Sequence, residues 1–174
     1  LNTPRPAAEV SAEMDINPAE MEKRLVAARR ALYDARAERV WPGLDGKVLT
    51  AWNGLLLAAL AEAGAALGRA DYTAAAIANA EFLHINLRRA DGRLLRSWKA
   101  GVGARYNGYL EDYAFLADGL LALYQTTFDP RWFAWARELA DQMLAHFRDE
   151  TNGGFYDTAD DHEALLHRPK DVQD

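Results

Sequence analysis

No cysteine occurs in the 174 residues. Disulfides, thiol catalysis and thiolate metal sites are therefore excluded from this chain, and a cytoplasmic location is the expectation. Basic runs are missing too: no stretch of lysine or arginine reaches five, and the formal net charge is −6. Such a balance argues against nucleic acid and anionic membrane as partners. Long hydrophobic runs are absent. The longest fully apolar stretch spans residues 55–61, with Gly54 in front of it, so neither a transmembrane span nor a signal peptide is expected.

Several motifs are also lacking. His162-Glu163 followed by His167 is not a zinc-binding HExxH, because histidines five apart do not share a helix face. Gly101, Gly103 and Gly108 do not have the spacing of a dinucleotide fingerprint and no strand precedes them. No serine occupies a nucleophile elbow. The expectation is a chain without metal or cofactor. The first residue is Leu1 rather than Met, which leads to the expectation of a piece of a longer protein.

What is present is helical. Half of the sequence is hydrophobic and 26% is charged, enough to build one domain with a real core. The spacing predicts five helices, at about 18–38, 50–67, 72–89, 112–127 and 131–148. Asn17 followed by Pro18 suits the opening of the first, Asp71 the cap of the third, and Asp129-Pro130 the start of the fifth. Met21, Leu25, Ala28 and Leu32 recur along the first at helical spacing. Strand signals are confined to short hairpins near 93–106 and 153–158.

The second and third helices resemble the fourth and fifth at an offset of 132 − 72 = 60. Tyr72 matches Trp132, Ala76 matches Ala136, Ala80 matches Ala140, Leu56 matches Leu116 and Leu60 matches Leu120. Each unit ends in a glycine turn, Asp91-Gly92 or Asn152-Gly153-Gly154. Repeats of this size mean stacked or ring-closed helical hairpins. The helices at 50–67 and 112–127 are apolar on nearly every side, so they are expected to be inner and buried all round. The other three are expected to be outer. Links from inner to outer helices are short, and those from outer to inner are long. All the long links then fall at one end, where the inner helices begin, and long loops on a rigid scaffold commonly carry function.

Glu111 and Asp112 lie at that end. They fit the cap and flanking loop of a helix, and equally an acid/base pair or acceptors for sugar hydroxyls. A glycosidase-like mechanism needs a second carboxyl several ångströms away, which Asp45, Asp171 or Asp174 could supply. Trp41, Trp52, Trp98, Tyr106, Tyr109 and Tyr113 crowd the same end, as stacking platforms for sugars or as core under the loops. Arg96 alternates with Leu94, Leu95 and Trp98, so it is placed to pair with Glu111 or Asp112.

Five stretches carry a family resemblance: NTPRPAAEV (2–10), KVLTAWNGLLLAALA (47–61), GRLLRSW (92–98), GYLEDYAFLADGLLALY (108–124) and RPKDVQD (168–174). Together they resemble the YyaL-like, thioredoxin-domain-containing proteins, whose animal members are called spermatogenesis-associated. The resemblance implies an all-α fold, a partial (α/α) toroid similar to six-hairpin glycosidases and N-acylglucosamine 2-epimerases. Residues 1–174 would form its first part, with short β-hairpin loops at one end and the thioredoxin-like domain outside this chain. Two departures stand out: Gly46 follows Asp45 where the family commonly has two acids, and Glu111-Asp112 replaces Asp-Asp. No histidine lies on an inner helix, which counts against simple transfer of epimerase chemistry.

The resulting expectation is a carbohydrate-binding or carbohydrate-processing domain. Glu111 and Asp112 would be catalytic. Trp52 and Tyr113 would stack on the sugar, Asn53 and Arg96 would orient it, and Lys170 and Asp171 would close the rim. The competing expectation is a non-catalytic scaffold for the thioredoxin-like domain or another partner. An isolated arc would expose the faces meant for its missing hairpins, so self-association or packing against the rest of the ring is also expected.

Overall fold

The computed structural model describes residues 5–162 and 166–170. The chain divides into two compact units, Leu1–Asp45 and Gly46–Asp174. In the first unit, α1 (Ala7–Glu13) leads through a turn, with Asp15 at positive φ, into α2 (Pro18–Ala37). The Asn17 side chain accepts from the Ala19 amide at 2.9 Å, and Pro18 takes the first helical position, where it loses no hydrogen bond. Met21 is buried, but Leu32 is exposed, so the expected apolar stripe of α2 is only partly covered.

The second unit holds two helical hairpins: α3 (Thr50–Leu67) with α4 (Ala70–Asn86), and α5 (Leu110–Thr127) with α6 (Pro130–His146). The 60-residue repeat is obeyed at every helix boundary: 50 and 110, 67 and 127, 70 and 130, 86 and 146. The turns after the first helix of each hairpin also correspond, with Gly68 and Phe128 both in the left-handed conformation. Asp129 caps α6 by accepting from the Arg131 amide at 3.1 Å. Asp71 differs from expectation. The cap of α4 is Arg69, and Asp71 sits inside the first turn, paired with the Arg69 guanidinium at 2.7 Å.

Strands β1 (Lys47–Leu49), β2 (Leu95–Lys99) and β3 (Gly103–Asn107) form an antiparallel sheet in the order β1-β2-β3. Val48 pairs with Trp98, and Leu95 with Asn107. β1 runs straight into α3, and β3 is two residues from α5. The sheet therefore lies at the end where α3 and α5 begin. At 153–158 a single bridge forms among the described residues, Arg148 to Phe155.

The core is the α3–α5 contact and what packs on it. A β-carbon at Gly54 would stand 2.6 Å from the backbone of Phe115 and Leu116, and one at Gly119 would stand 2.6 Å from the Gly54 carbonyl oxygen. The two helices cross backbone to backbone at these glycines. Leu57, Leu83, Leu87, Leu94, Leu116, Leu120, Leu123, Leu139 and Phe147 are fully buried around the crossing, each contributing roughly 2 kcal/mol by burial. The expectation of an α3 buried all round is corrected here. Trp52, Leu55 and Leu56 are exposed, because no described helix covers that side of α3. By length and composition α3 is also long and apolar enough to cross a bilayer, but it is a packing helix of this core. Its buried face carries Gly54, Leu57, Ala61 and Gly64.

Candidate functional site

The starts of α3 and α5 are tied together by one carboxylate. α3 has no side-chain cap of its own at Leu49. Its Ala51 amide donates to Asp112 Oδ1 at 2.9 Å, while the Tyr109 amide donates to Asp112 Oδ2 at 2.8 Å. Asp112 thus satisfies a free N–H at the head of each helix. Its side chain is 1% exposed. Burial pushes the carboxyl up to about 6, against the two amides and Arg96, which favour the charged form, and Glu111 adds to the rise.

Glu111 and Trp52 adjoin the bonded residues in sequence, one residue before Asp112 and one after Ala51. Both face solvent: the Glu111 side chain is 47% exposed and Trp52 71%. Arg96 on β2 joins the acids, with Nη1 at 2.9 Å from Glu111 and 3.5 Å from Asp112. Its guanidinium lies over the Tyr109 ring at 4.2 Å. Thr50 Oγ1 donates to the Leu95 carbonyl at 2.6 Å, which fixes β2 against the head of α3. Trp52, Arg96, Tyr109 and Glu111 therefore share one end of the hairpins, over a buried brace made by Asp112.

The other expected residues are placed differently. Tyr113 is fully buried; its hydroxyl accepts from Arg93 Nε at 3.1 Å and from the Leu94 amide at 2.9 Å, and its ring meets Phe147 at 5.1 Å. No face of that ring is open for stacking. The Asn53 amide group donates to the Leu49 carbonyl at 2.8 Å, closing the first turn of α3. Lys170 is held by the Asp149 carboxylate and the Gly153 carbonyl and lies over Tyr156 at 4.8 Å. Lys170 and the amides of Thr151 and Asn152 hold the Asp149 carboxyl well below the usual carboxylate range. Asp171 and Asp174 lie outside the described residues, and Asp45 belongs to the first unit.

Tyr109, expected at this end as a stacking platform or as core under the loops, is half-buried under Arg96. One residue was not singled out for this place. His162, read only as a failed zinc motif, brings its ring to 5.6 Å from Tyr109. The Leu110 amide bonds the Asp157 carbonyl, and the Asp157 amide bonds the Pro169 carbonyl. These bonds return the segment after α6 to the head of α5, a long-range closure with no local sequence signal.

The two helical hairpins form a segment of an (α/α) toroid fold. Solved structures similar to the chain share this fold. Cellobiose 2-epimerase from Spirochaeta thermophila matches with a TM-score of 0.60 at 19% identity, over 67% of this chain and 30% of that one. The GH76 α-mannanase from Bacteroides thetaiotaomicron matches with a TM-score of 0.60 at 18% identity, over 68% of this chain and 34% of that one. A D-mannose isomerase matches with a TM-score of 0.53 at 15% identity, over 79% and 38%. All three are carbohydrate-processing enzymes. No family model matches the chain. The chain belongs to the family of spermatogenesis-associated protein 20. The Mus musculus protein is 39% identical over 133 residues, 72% of this chain, and the Homo sapiens protein is 38% identical over 152 residues, 82% of this chain. The chain spans 17% and 19% of the length of these two relatives.

Proposed function

We propose that the heads of α3 and α5 form a carbohydrate-contacting surface of a carbohydrate-binding or carbohydrate-processing toroid. The observation that carries this reading is the Ala51–Asp112 hydrogen bond, which joins the two helix heads that carry the exposed Trp52 and Glu111. An aromatic face beside a carboxylate–guanidinium pair is the chemistry that recognises a pyranose: its C–H face stacks on the ring and its hydroxyls bond the charged groups. Trp52 is the platform, while Glu111 and Arg96 take the hydroxyls. Glu111 is also the carboxyl open to solvent for acid/base work. Asp112 acts as a positioning residue through the two helix heads, and Tyr113 braces β2 from beneath. The folds in common with enzymes acting on cellobiose, mannan and mannose support gluco- and manno-configured sugars as the first ligands to try.

Saturation-transfer NMR with millimolar cellobiose, mannobiose and mannose tests the reading. Transfer to at least one sugar, reduced by Trp52→Ala and by Glu111→Gln, is the expected result. Absence of transfer to every sugar, or transfer untouched by both changes, overturns it. A second reading, a partner-binding scaffold, has the exposed Leu55 and Leu56 side of α3 in its favour. It predicts protein capture on that side and no sugar response.

A further inference from the structure

The 60-residue repeat continues on the surface of the second hairpin. A groove of about 430 Å³ runs there between α5 and α6. Ala114, Ala117 and Leu121 line it from α5, and Ala136, Ala140 and Met143 line it from α6. Sixty residues earlier stand Gly54, Leu57, Ala61, Ala76, Ala80 and Leu83, and all six are buried. The three on α3 belong to the surface that receives α5. The backbone of Phe115 and Leu116 lies against Gly54, Gly119 lies against Leu57, and Thr126 Oγ1 donates to the Ala61 carbonyl at 3.2 Å. The groove therefore repeats the α3–α4 seat that α5 fills inside the chain, and no helix among the described residues fills the second one.

A face that fits such a seat is also present. α5 meets α3 through Asp112, Phe115, Leu116 and Gly119. Their equivalents on α3 are Trp52, Leu55, Leu56 and Ala59, and all four are exposed. Each chain thus carries an empty seat on α5–α6 and, on α3, an unused counterpart of the face that docks there. The two surfaces differ, so copies match head-to-tail rather than about a two-fold axis. Two features weaken this junction relative to the one inside the chain. Ala114 replaces Gly54 and Ala59 replaces Gly119, so the helices cannot cross as closely as α3 and α5 do. Asp118 and Arg137 also line the groove, in place of Ala58 and Ile77, which makes it less apolar. We propose that the α5–α6 groove is an interaction surface for a second copy of this chain, which seats the exposed face of its α3 there as α5 seats on α3.

The test combines sedimentation equilibrium with cross-linking. The mass should rise reversibly above that of a single chain as the concentration approaches the millimolar range. Leu121→Glu in the groove and Leu56→Glu on α3 should each weaken association at least tenfold. Leu121 is 37% exposed and Leu56 49%, so both variants should fold. Direction is read with Ala59→Cys and Ala114→Cys, the equivalents of the touching pair Gly119 and Gly54, in a chain that has no cysteine of its own. Under mild oxidation a mixture of the two variants should form a disulfide-linked dimer at least tenfold faster than either variant alone. A single-chain mass throughout would leave the groove to another occupant and overturn the proposal. Association untouched by both glutamates, or cross-linking as fast within one variant as in the mixture, would also overturn it.

Discussion

The Asp112 carboxylate of α5 accepts the Ala51 amide of α3 at 2.9 Å across 61 residues of sequence. With its other oxygen it accepts the Tyr109 amide at the head of its own helix. One buried side chain therefore completes two helices, and only one of them has a cap within reach of local sequence. Asp112→Asn keeps one acceptor and turns an N–H toward one of the two amides. Its unfolding free energy in urea should fall by about 1–3 kcal/mol. A change within experimental error would show that the brace does not hold the helix heads.

The same residue sets a pH dependence. Its folded value of about 6 lies above the ordinary carboxylate value of roughly 3.9. The folded state therefore binds the proton more tightly than the unfolded chain. On Asp112's account, stability is fully gained below pH about 4 and lost as pH rises through about 6, an effect on the order of 2–3 kcal/mol. His84 acts in the opposite sense, since its folded value is lowered and its contribution is lost as pH falls. Comparing wild type with Asp112→Asn removes the His84 effect. The deficit of the variant should be larger at pH 5 than at pH 7 in thermal unfolding; a deficit that shrinks toward acid would contradict the assignment.

Much of this architecture is legible in the sequence, and the misses have physical causes. Helix periods, glycine turns and the 60-residue repeat are local patterns, and the second unit obeys them at each helix boundary. Helix α1 escapes notice because it has seven residues and no side-chain cap. β1 escapes because three residues show no alternation, and its pairing with β2 is long-range. Arg96 is correctly placed beside Glu111 and Asp112 by the hairpin's alternation. Tyr113 and Asp112 are harder to read. Aromatic and acidic residues at a helix head look alike whether they face a ligand or a backbone amide, and only the position of Leu94 and Ala51 decides between these. The apolar composition of α3 records burial that the described residues only half supply.

The hydroxyl of Tyr113 is a structural acceptor. Tyr113→Phe leaves Arg93 Nε and the Leu94 amide, both buried, without it. A loss of about 1–3 kcal/mol in chemical denaturation is expected. If the stability is unchanged, the hydroxyl is not what positions β2.

The crossing of α3 and α5 requires glycine. Gly119→Ala would gain up to about 1 kcal/mol in helix propensity, but its methyl would sit 2.6 Å from the Gly54 carbonyl oxygen. Overpacking of this kind costs about 1–3 kcal/mol, so a net loss of melting temperature is expected in calorimetry. A gain would show that the helices have room to part.

The repeat also exposes a conformational cost. Gly68 ends α3 in the left-handed conformation, and the equivalent residue after α5 is Phe128, at φ 56° and 76% exposed. Phe128→Gly should stabilise the protein by about 0.5–1 kcal/mol in denaturant titration. Destabilisation would mean that the contacts of the Phe128 ring with Tyr124 outweigh the backbone strain.

In the proposed function, Glu111 is the carboxylate that meets a sugar at the helix heads. Labelling with epoxyalkyl glycosides of cellobiose and mannose, followed by peptide mass spectrometry, tests this directly. A carboxylate oxygen opens the epoxide and forms an ester, marking the group that the bound sugar brings within reach. Esterification of Glu111, competed by free sugar and reduced by Trp52→Ala, is the predicted result. Labelling that is absent, or that falls on Asp118 and Asp141 as readily as on Glu111, would contradict it.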